Sequence, residues 1–286
     1  MQTSKVSWVF VVCLLGSCVV ACSGGTAGGG AIGTANDPEL DATVPVVGAD
    51  AGGDGGGSEA RAKLGQPVSF GAGMPFVCRK NAFCDDFEEA APLARWTNSV
   101  VTLGAVDFVG PSASHGVKAL RASTTGSGGA AFLVLAGPAL GQTWAGSLGF
   151  ALRVDALPAK VLGGPEIAVT DTSGAITRIG FSVRPEGIAL HQYFESCAGH
   201  ACEARSDLVS DVRPGVWRTL TVGIETSGSS APPYGRIEVT VDGGDLIVLP
   251  LSVTHFDGRA EVHAGITVAD SVPATARIDD VVFFTH

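Results

Sequence analysis

Charge is sparse in this chain of 286 residues, at 16%, and positive charge is the scarcer sign. The 18 Lys and Arg stand against 28 Asp and Glu, a net charge of −10. Phosphate backbones and anionic lipid surfaces are held by clustered cations, so this composition excludes the usual nucleic-acid and electrostatic membrane binders. Aromatics are few, at 7%. Apolar residues at helical spacing are missing from Phe76 onward, which excludes a coiled coil and leaves no βαβ unit visible. Long apolar runs are wanting beyond the first two dozen residues. What the chain does hold is 40 glycines, and 45% hydrophobic residues broken into short runs. That is the profile of an exported all-β protein.

The first residues indicate an address. Lys5 precedes an apolar run from Val6 to Leu15, which fits the core of an export signal and is too short to span a bilayer. The run leads into Val19-Val20-Ala21-Cys22, which resembles the lipobox of bacterial lipoproteins. There, small residues precede a cysteine that is lipidated and becomes the mature N-terminus. Leu15-Gly16-Ser17-Cys18 overlaps it as a second candidate. Cys22 is preferred because it leaves the fuller apolar core and a glycine-rich stretch starts directly after it. The alternative is an ordinary secretory signal with incidental cysteines. The resemblance implies export and lipid anchoring in the cell envelope. Ser23 in place of Asp points to the outer membrane, on its periplasmic or surface face. Membrane association then rests on acyl chains alone, with no transmembrane helix after processing.

Three segments are expected: a signal peptide over residues 1–21, a tether over 22–64 and one β domain over 65–286. The tether carries Asp37, Glu39, Asp41, Asp50 and Asp54 among glycines and almost no large side chains. It cannot offset the entropy of ordering and reads as a flexible coil, with a span of roughly 30–40 Å. Beyond it lie Cys78, Cys84, Cys197 and Cys202, an even number in an oxidising compartment. Three connectivities are possible. The local pairs Cys78–Cys84 and Cys197–Cys202 are favoured because each closes a short turn between strands. Zinc is the rival use of these thiols, but the spacing lacks paired C-x₂-C units.

The β pattern is read from period-two alternation. Val100 to Phe108, Val117 to Ala122, Ala130 to Leu135 and Trp144 to Val154 give early strands. Ile167 to Val169 is short. Ile176 to Val183 follows, with Ile179, Phe181 and Val183 on one face and Arg178, Gly180, Ser182 and Arg184 on the other. Ile188 to Phe194, Trp217 to Thr226, Arg236 to Val241, Leu246 to Leu249, Glu261 to Val268 and Arg277 to Phe284 complete the set. About a dozen short strands between turn signals predict a sandwich or barrel.

Four stretches carry a resemblance. Pro214-Gly215-Val216-Trp217 and Gly235-Arg236-Ile237-Glu238-Val239-Thr240-Val241-Asp242-Gly243 resemble the concanavalin A-like or laminin-G-like jelly roll of the lectin and glucanase superfamily. There a Trp opens one strand and a Val-Asp-Gly hairpin closes the next pair. Cys84-Asp85-Asp86-Phe87-Glu88 and Ile278-Asp279-Asp280-Val281 are similar to the first and last strands of such domains. The resemblance spans Phe76 to His286. It implies an all-β, two-sheet antiparallel sandwich whose terminal strands are neighbours, and it implies fold more than function. It further implies a structural calcium at that junction, with Glu88 and Asp280 matching and Asp86 contributing. The alternative is that these carboxylates cap strand ends.

A second candidate is a polar strand face. Arg178, Ser182 and Arg184 share one face, as do His191 and Tyr193 on the adjoining strand. If the two faces coincide, guanidinium forks suited to carboxylate-bearing sugars meet an imidazole and a ring that stacks on a sugar. Trp96, beside Arg95 and Asn98, is the tryptophan expected to be exposed for the same purpose. Tyr193 or His191 as base, with Arg neutralising a uronate, would also serve β-elimination. A solvated outer sheet face is the plain alternative. Glycosidase chemistry needs two carboxylates set across a cleft. Jelly-roll glucanases place theirs in a Glu-x-Asp-x-x-Glu strand, which is missing here. Glu88 and Glu89 are adjacent, and Glu166 and Asp171 have opposite parity. The Gln-Ile-His signature of alginate-type lyases is missing too. The expected function is therefore non-catalytic binding of a glycan or glycoconjugate by a lectin-like domain. A surface interaction protein without a small ligand, or an atypical polysaccharide lyase or hydrolase, are the alternatives.

Overall fold

A computed structural model of the chain describes residues 78, 81–110, 113–197, 200–253, 257–270 and 273–285, without the side chains of 196, 197, 200 and 201. The export signal, Cys22 and the tether lie outside the described residues. Those described belong to one compact unit within 57–286. The chain runs through β1 (Phe83–Asp85), β2 (Asn98–Thr102), β3 (Gly104–Val109), β4 (Ala119–Thr124), β5 (Gly129–Leu140), β6 (Ala145–Val154), β7 (Leu162–Thr170) and β8 (Ile176–Arg184). It continues through β9 (Gly187–Cys197), β10 (His200–Val209), β11 (Arg218–Thr226), β12 (Gly235–Val241), β13 (Ile247–Pro250), β14 (Gly258–Ala269) and β15 (Ala274–Thr285). A 3-10 turn at Pro92–Arg95 is the one helical element among the described residues.

The strands form two antiparallel sheets. One follows the order β13-β12-β11-β6-β15-β4-β3, with β1 also paired to β15; the other follows β10-β9-β8-β7-β14-β5-β2. Alternation drives their stacking. Leu148, Phe150 and Leu152 of the first sheet face Ile167, Ile179 and Phe181 of the second, all buried, and Phe150 meets Phe181 edge to face at 5.3 Å. Each such side chain contributes roughly 1.5–3 kcal/mol when withdrawn from water. The molecule is an all-β jelly-roll sandwich.

The termini of the domain do meet. Phe83 lies opposite Phe283 and Asp85 opposite Val281, so β1 flanks the second half of β15 while β4 flanks Ala274–Ile278. The β15 ladder breaks between Asp279 and Val282 where one neighbour gives way to the other, and Asp280 takes a left-handed φ of 53°. Cys78 is bonded to Cys84, stapling the entry to β1. Cys202 is also disulfide-bonded, whereas the side chain of Cys197, its expected partner, lies outside the described residues.

Two expectations need correction. Val100 to Phe108 is not one strand. Leu103 sits at a φ of 51°, and the chain crosses there from β2 in one sheet to β3 in the other. The stretch after Cys197 is not merely a cystine loop: β10 runs to Val209 as an edge strand beside β9. Its signal was present in Glu203, Arg205 and Asp207, charged at every second position. The Val241 to Gly244 turn matches expectation. Asp242 and Gly243 both have positive φ, and Gly244 N–H donates to the Val241 carbonyl at 2.9 Å, the tight turn that suits a right-twisted hairpin.

Candidate functional site

The outer face of the seven-stranded sheet carries a cavity of about 340 Å³. Arg178, Ser182 and Arg184 of β8 line it together with His191 and Tyr193 of β9, so the two alternating faces coincide. The β8–β9 register brings this about, setting Arg178 opposite Tyr193 and Gly180 opposite His191. Glu195, Glu203 and Glu166 add carboxylates to the lining.

Glu166 of β7 forms the floor, and sequence reasoning did not single it out as a centre. It is 1% exposed. His263 Nδ1 lies 2.9 Å from its Oε1, Arg178 Nη1 lies 3.5 Å from the same oxygen, and His191 Nε2 lies 3.8 Å from Oε2. The last distance is that of an ion pair, beyond a direct hydrogen bond. His263 Nε2 faces Glu261 Oε2 at 3.4 Å. Both imidazole nitrogens therefore point at carboxylate oxygens. Phe132 backs that ring with centroids 4.6 Å apart. Burial alone would raise the Glu166 carboxyl, but His191, His263 and the Arg178 charge more than offset it and hold the group at about 2.

Gly180 makes the cluster possible. It lies between Glu166 and His191 in the register of three adjacent strands. A Cβ built there would stand 2.5 Å from the Glu166 Cβ and 3.2 Å from His191 Nε2. Without one, the imidazole reaches across an intervening strand toward the carboxylate. The signal for this was a single glycine on the polar face of β8.

Trp96 does not belong to this site, correcting the expectation that it is exposed. It is 7% exposed, stacks with Phe87 at 6.2 Å and meets Phe83 edge to face at 5.1 Å. Its Nε1–H donates to Asp85 Oδ2 at 2.7 Å, while the Phe87 N–H donates to Oδ1 at 2.8 Å. The buried carboxylate of Asp85 is the partner that draws the indole inward.

At the β1–β15 junction, Glu88 Oε1 accepts the Val117 and Lys118 N–H groups, each at 2.6 Å. Asp280 Oδ2 pairs with His115 Nδ1, and Asp279 Oδ2 accepts the Ser114 and His115 N–H groups. Burial, with the neighbouring Asp280 charge, pushes Asp279 up to about 7 despite those amides. Burial also raises Asp280, partly offset by His115. Asp280 Oδ1 is buried without a hydrogen-bond partner, and Asp86 is near enough to raise Asp280 further. That orphaned oxygen fits a cation, whereas the engaged Glu88 oxygen does not. Among the described residues no three metal-ligating side chains converge.

The two stacked sheets with adjoining terminal strands place the molecule in the jelly-roll class. No family model matches the chain, and no curated protein matches it. Among solved structures, a GH16 protein of a Bacteroides ovatus mixed-linkage glucan locus, bound to a product, is similar at a TM-score of 0.50 and 9% identity. The match covers 71% of this chain and 99% of that one. The cellulose-induced protein Cip1 aligns at a TM-score of 0.49 and 15% identity, over 71% and 96% of the two chains. A family 7 alginate lyase, A1-II′, aligns at 0.42 and 11%, over 58% and 78%. At such identities the likeness speaks for the fold alone. Among the described residues no helix is long and apolar enough to cross a membrane.

Proposed function

We propose that this protein is a lipid-anchored glycan-binding jelly roll of the bacterial cell envelope, whose ligand lies in the cavity over Glu166. One observation carries the reading: two guanidinium groups, a hydroxyl, an imidazole and a phenol from adjacent strands converge on one cavity of ligand-accommodating size. Fork donors and a stacking ring are what sugar recognition uses. The carbohydrate-related names of the similar jelly rolls agree with it. The state of Glu166 supports reading the site as one that binds without catalysis. A carboxyl held at about 2 is a poor general acid and a weak base near neutrality, and its partners are already engaged.

A glycan array probed with the full chain tests the proposal, with Tyr193→Ala as comparison. Binding that the variant loses is the expected result. Capture of envelope proteins with no glycan bound would favour the interaction-protein reading instead. Release of unsaturated or reducing-end products from a bound polymer would overturn the non-catalytic part. Metabolic labelling with a fatty acid tests the anchor: label is expected in the wild type and lost in Cys22→Ala.

A structural calcium at Asp86 and Asp280 belongs to the same proposal, supported by the unpartnered Asp280 oxygen. Binding to the folded state alone must stabilise it. Calcium is expected to raise the melting temperature of the wild type but not of Asp280→Asn. An unchanged wild-type melting curve would remove the ion.

A further inference from the structure

The cavity differs from end to end. Ser182 and Arg184 occupy one end of β8, opposite Ala189 and Gly187. Ile176 marks the other end, where its N–H donates to Glu195 Oε2 at 3.3 Å and Glu203 stands opposite Tyr193. Eight residue steps of extended chain, about 26 Å, separate a basic end from an acidic one. Between them, Glu166 is already matched by His263 and Arg178.

The donors at that end are unspent. Ser182 is 2% exposed, yet its Oγ has no hydrogen-bond partner among the described residues. Arg178 Nε and Arg184 Nε, on the same face, are buried and equally unpartnered. Arg184 has Glu186 beside it at 3.7 Å, mostly exposed, a pairing that water weakens and a ligand can displace, and Asp207 nearby is paired with Arg205. Native interiors leave few buried polar groups unsatisfied. Three along one strand of one cavity call for a ligand that brings acceptors.

We infer that the Ser182–Arg184 end is the subsite for a carboxylate-bearing sugar, a uronate residue of an acidic glycan. The inference rests on the glycan-binding reading and names the class of glycan. A carboxylate offers two coplanar oxygens that match a guanidinium fork, with the Ser182 hydroxyl as a further donor. The Glu195–Glu203 end repels a second carboxylate and accepts hydrogen bonds from hydroxyls. The favoured ligand therefore carries one uronate followed by neutral sugars.

Calorimetry with the full chain tests this, using oligosaccharides in which one glucuronate, galacturonate or mannuronate is joined to a neutral trisaccharide. The controls are the same compounds with the carboxyl reduced to an alcohol. An acidic member is expected to bind at least about tenfold tighter than its reduced counterpart. Ser182→Ala and Arg184→Met should each weaken it by about tenfold or more, a larger loss than for the reduced compound, with Arg184→Lys failing to restore it. Equal affinity for acidic and reduced compounds, with Tyr193→Ala losing both, would overturn the uronate assignment and leave glycan binding standing. Unchanged acidic binding in both Ser182→Ala and Arg184→Met would also overturn it. If neither acidic nor reduced compounds bind, the glycan reading falls and takes this subsite with it.

Discussion

A carboxylate as enclosed as Glu166 persists in its charged form only while cations and donors face it. His263, Arg178 and His191 do so here, and the geometry makes the residue's removal costly. Glu166→Gln removes the carboxylate that faces the buried His263 ring and the half-exposed Arg178, and urea denaturation at pH 7 is expected to show a loss of about 3 kcal/mol. The sign of the pH dependence follows from the depressed carboxyl. Its folded value of about 2 lies below the ordinary 4.5, so its stabilisation is full above pH 4.5 and fades as pH falls toward 2. The gap between wild type and Glu166→Gln should therefore shrink from pH 5 to pH 2.5; a constant gap would contradict the cluster. Gly180→Ala makes the complementary test. Its methyl must push Glu166 or His191 aside, costing about 1–3 kcal/mol in thermal or urea unfolding and weakening any ligand that uses His191.

Among the elements, β15 carries the heaviest constraint, because it pairs with β6 on one side and with β4 and then β1 on the other. The change of neighbour falls at Asp279 and Asp280. Their side chains take up N–H groups and the imidazole of the 114–115 segment where the ladder is interrupted. This junction has the opposite pH sense to the pocket floor. Asp279, raised to about 7 from an ordinary 3.8, binds its proton more readily folded than unfolded. Its ionisation destabilises the fold above pH 7, and that burden lifts as pH falls through 7 toward 3.8. Melting temperatures measured at pH 8 and pH 5.5 are expected to rise on acidification, with a smaller rise in Asp279→Asn. A slope of equal size in the variant would assign the effect elsewhere.

For the molecule as a whole, the sandwich supplies two unlike outer surfaces. One sheet holds the pocket; the other holds the junction of first and last strands, whose pairing closes the domain on itself. A ligand that meets side chains from β7, β8, β9 and β10 at once binds the assembled sheet and not the unfolded chain. Saturating an oligosaccharide at a hundred times its dissociation constant should therefore add about 2.7 kcal/mol to unfolding. Differential scanning calorimetry would register this as a concentration-dependent rise. An unmoved transition would mean that the sugar contacts a surface independent of the fold.

Period-two alternation is a local property, so most strands, the sandwich and the shared faces of Arg178, Ser182, Arg184, His191 and Tyr193 were legible in the sequence, while β10 was passed over. The neighbouring ends were expected through the jelly-roll resemblance that their Asp-Asp stretches carry, and the Cys78–Cys84 bond through its short separation. Leu103 was not, because nothing in a β-prone run announces a left-handed residue and a change of sheet. Trp96 went inward because Asp85, eleven positions away, offered its indole a buried acceptor. Glu166 became the centre of the pocket only when His263, 97 residues on, and His191 arrived in register across a glycine. Alternation sets which face a side chain takes; register between distant strands sets whom it meets there, and that depends on how the whole core packs.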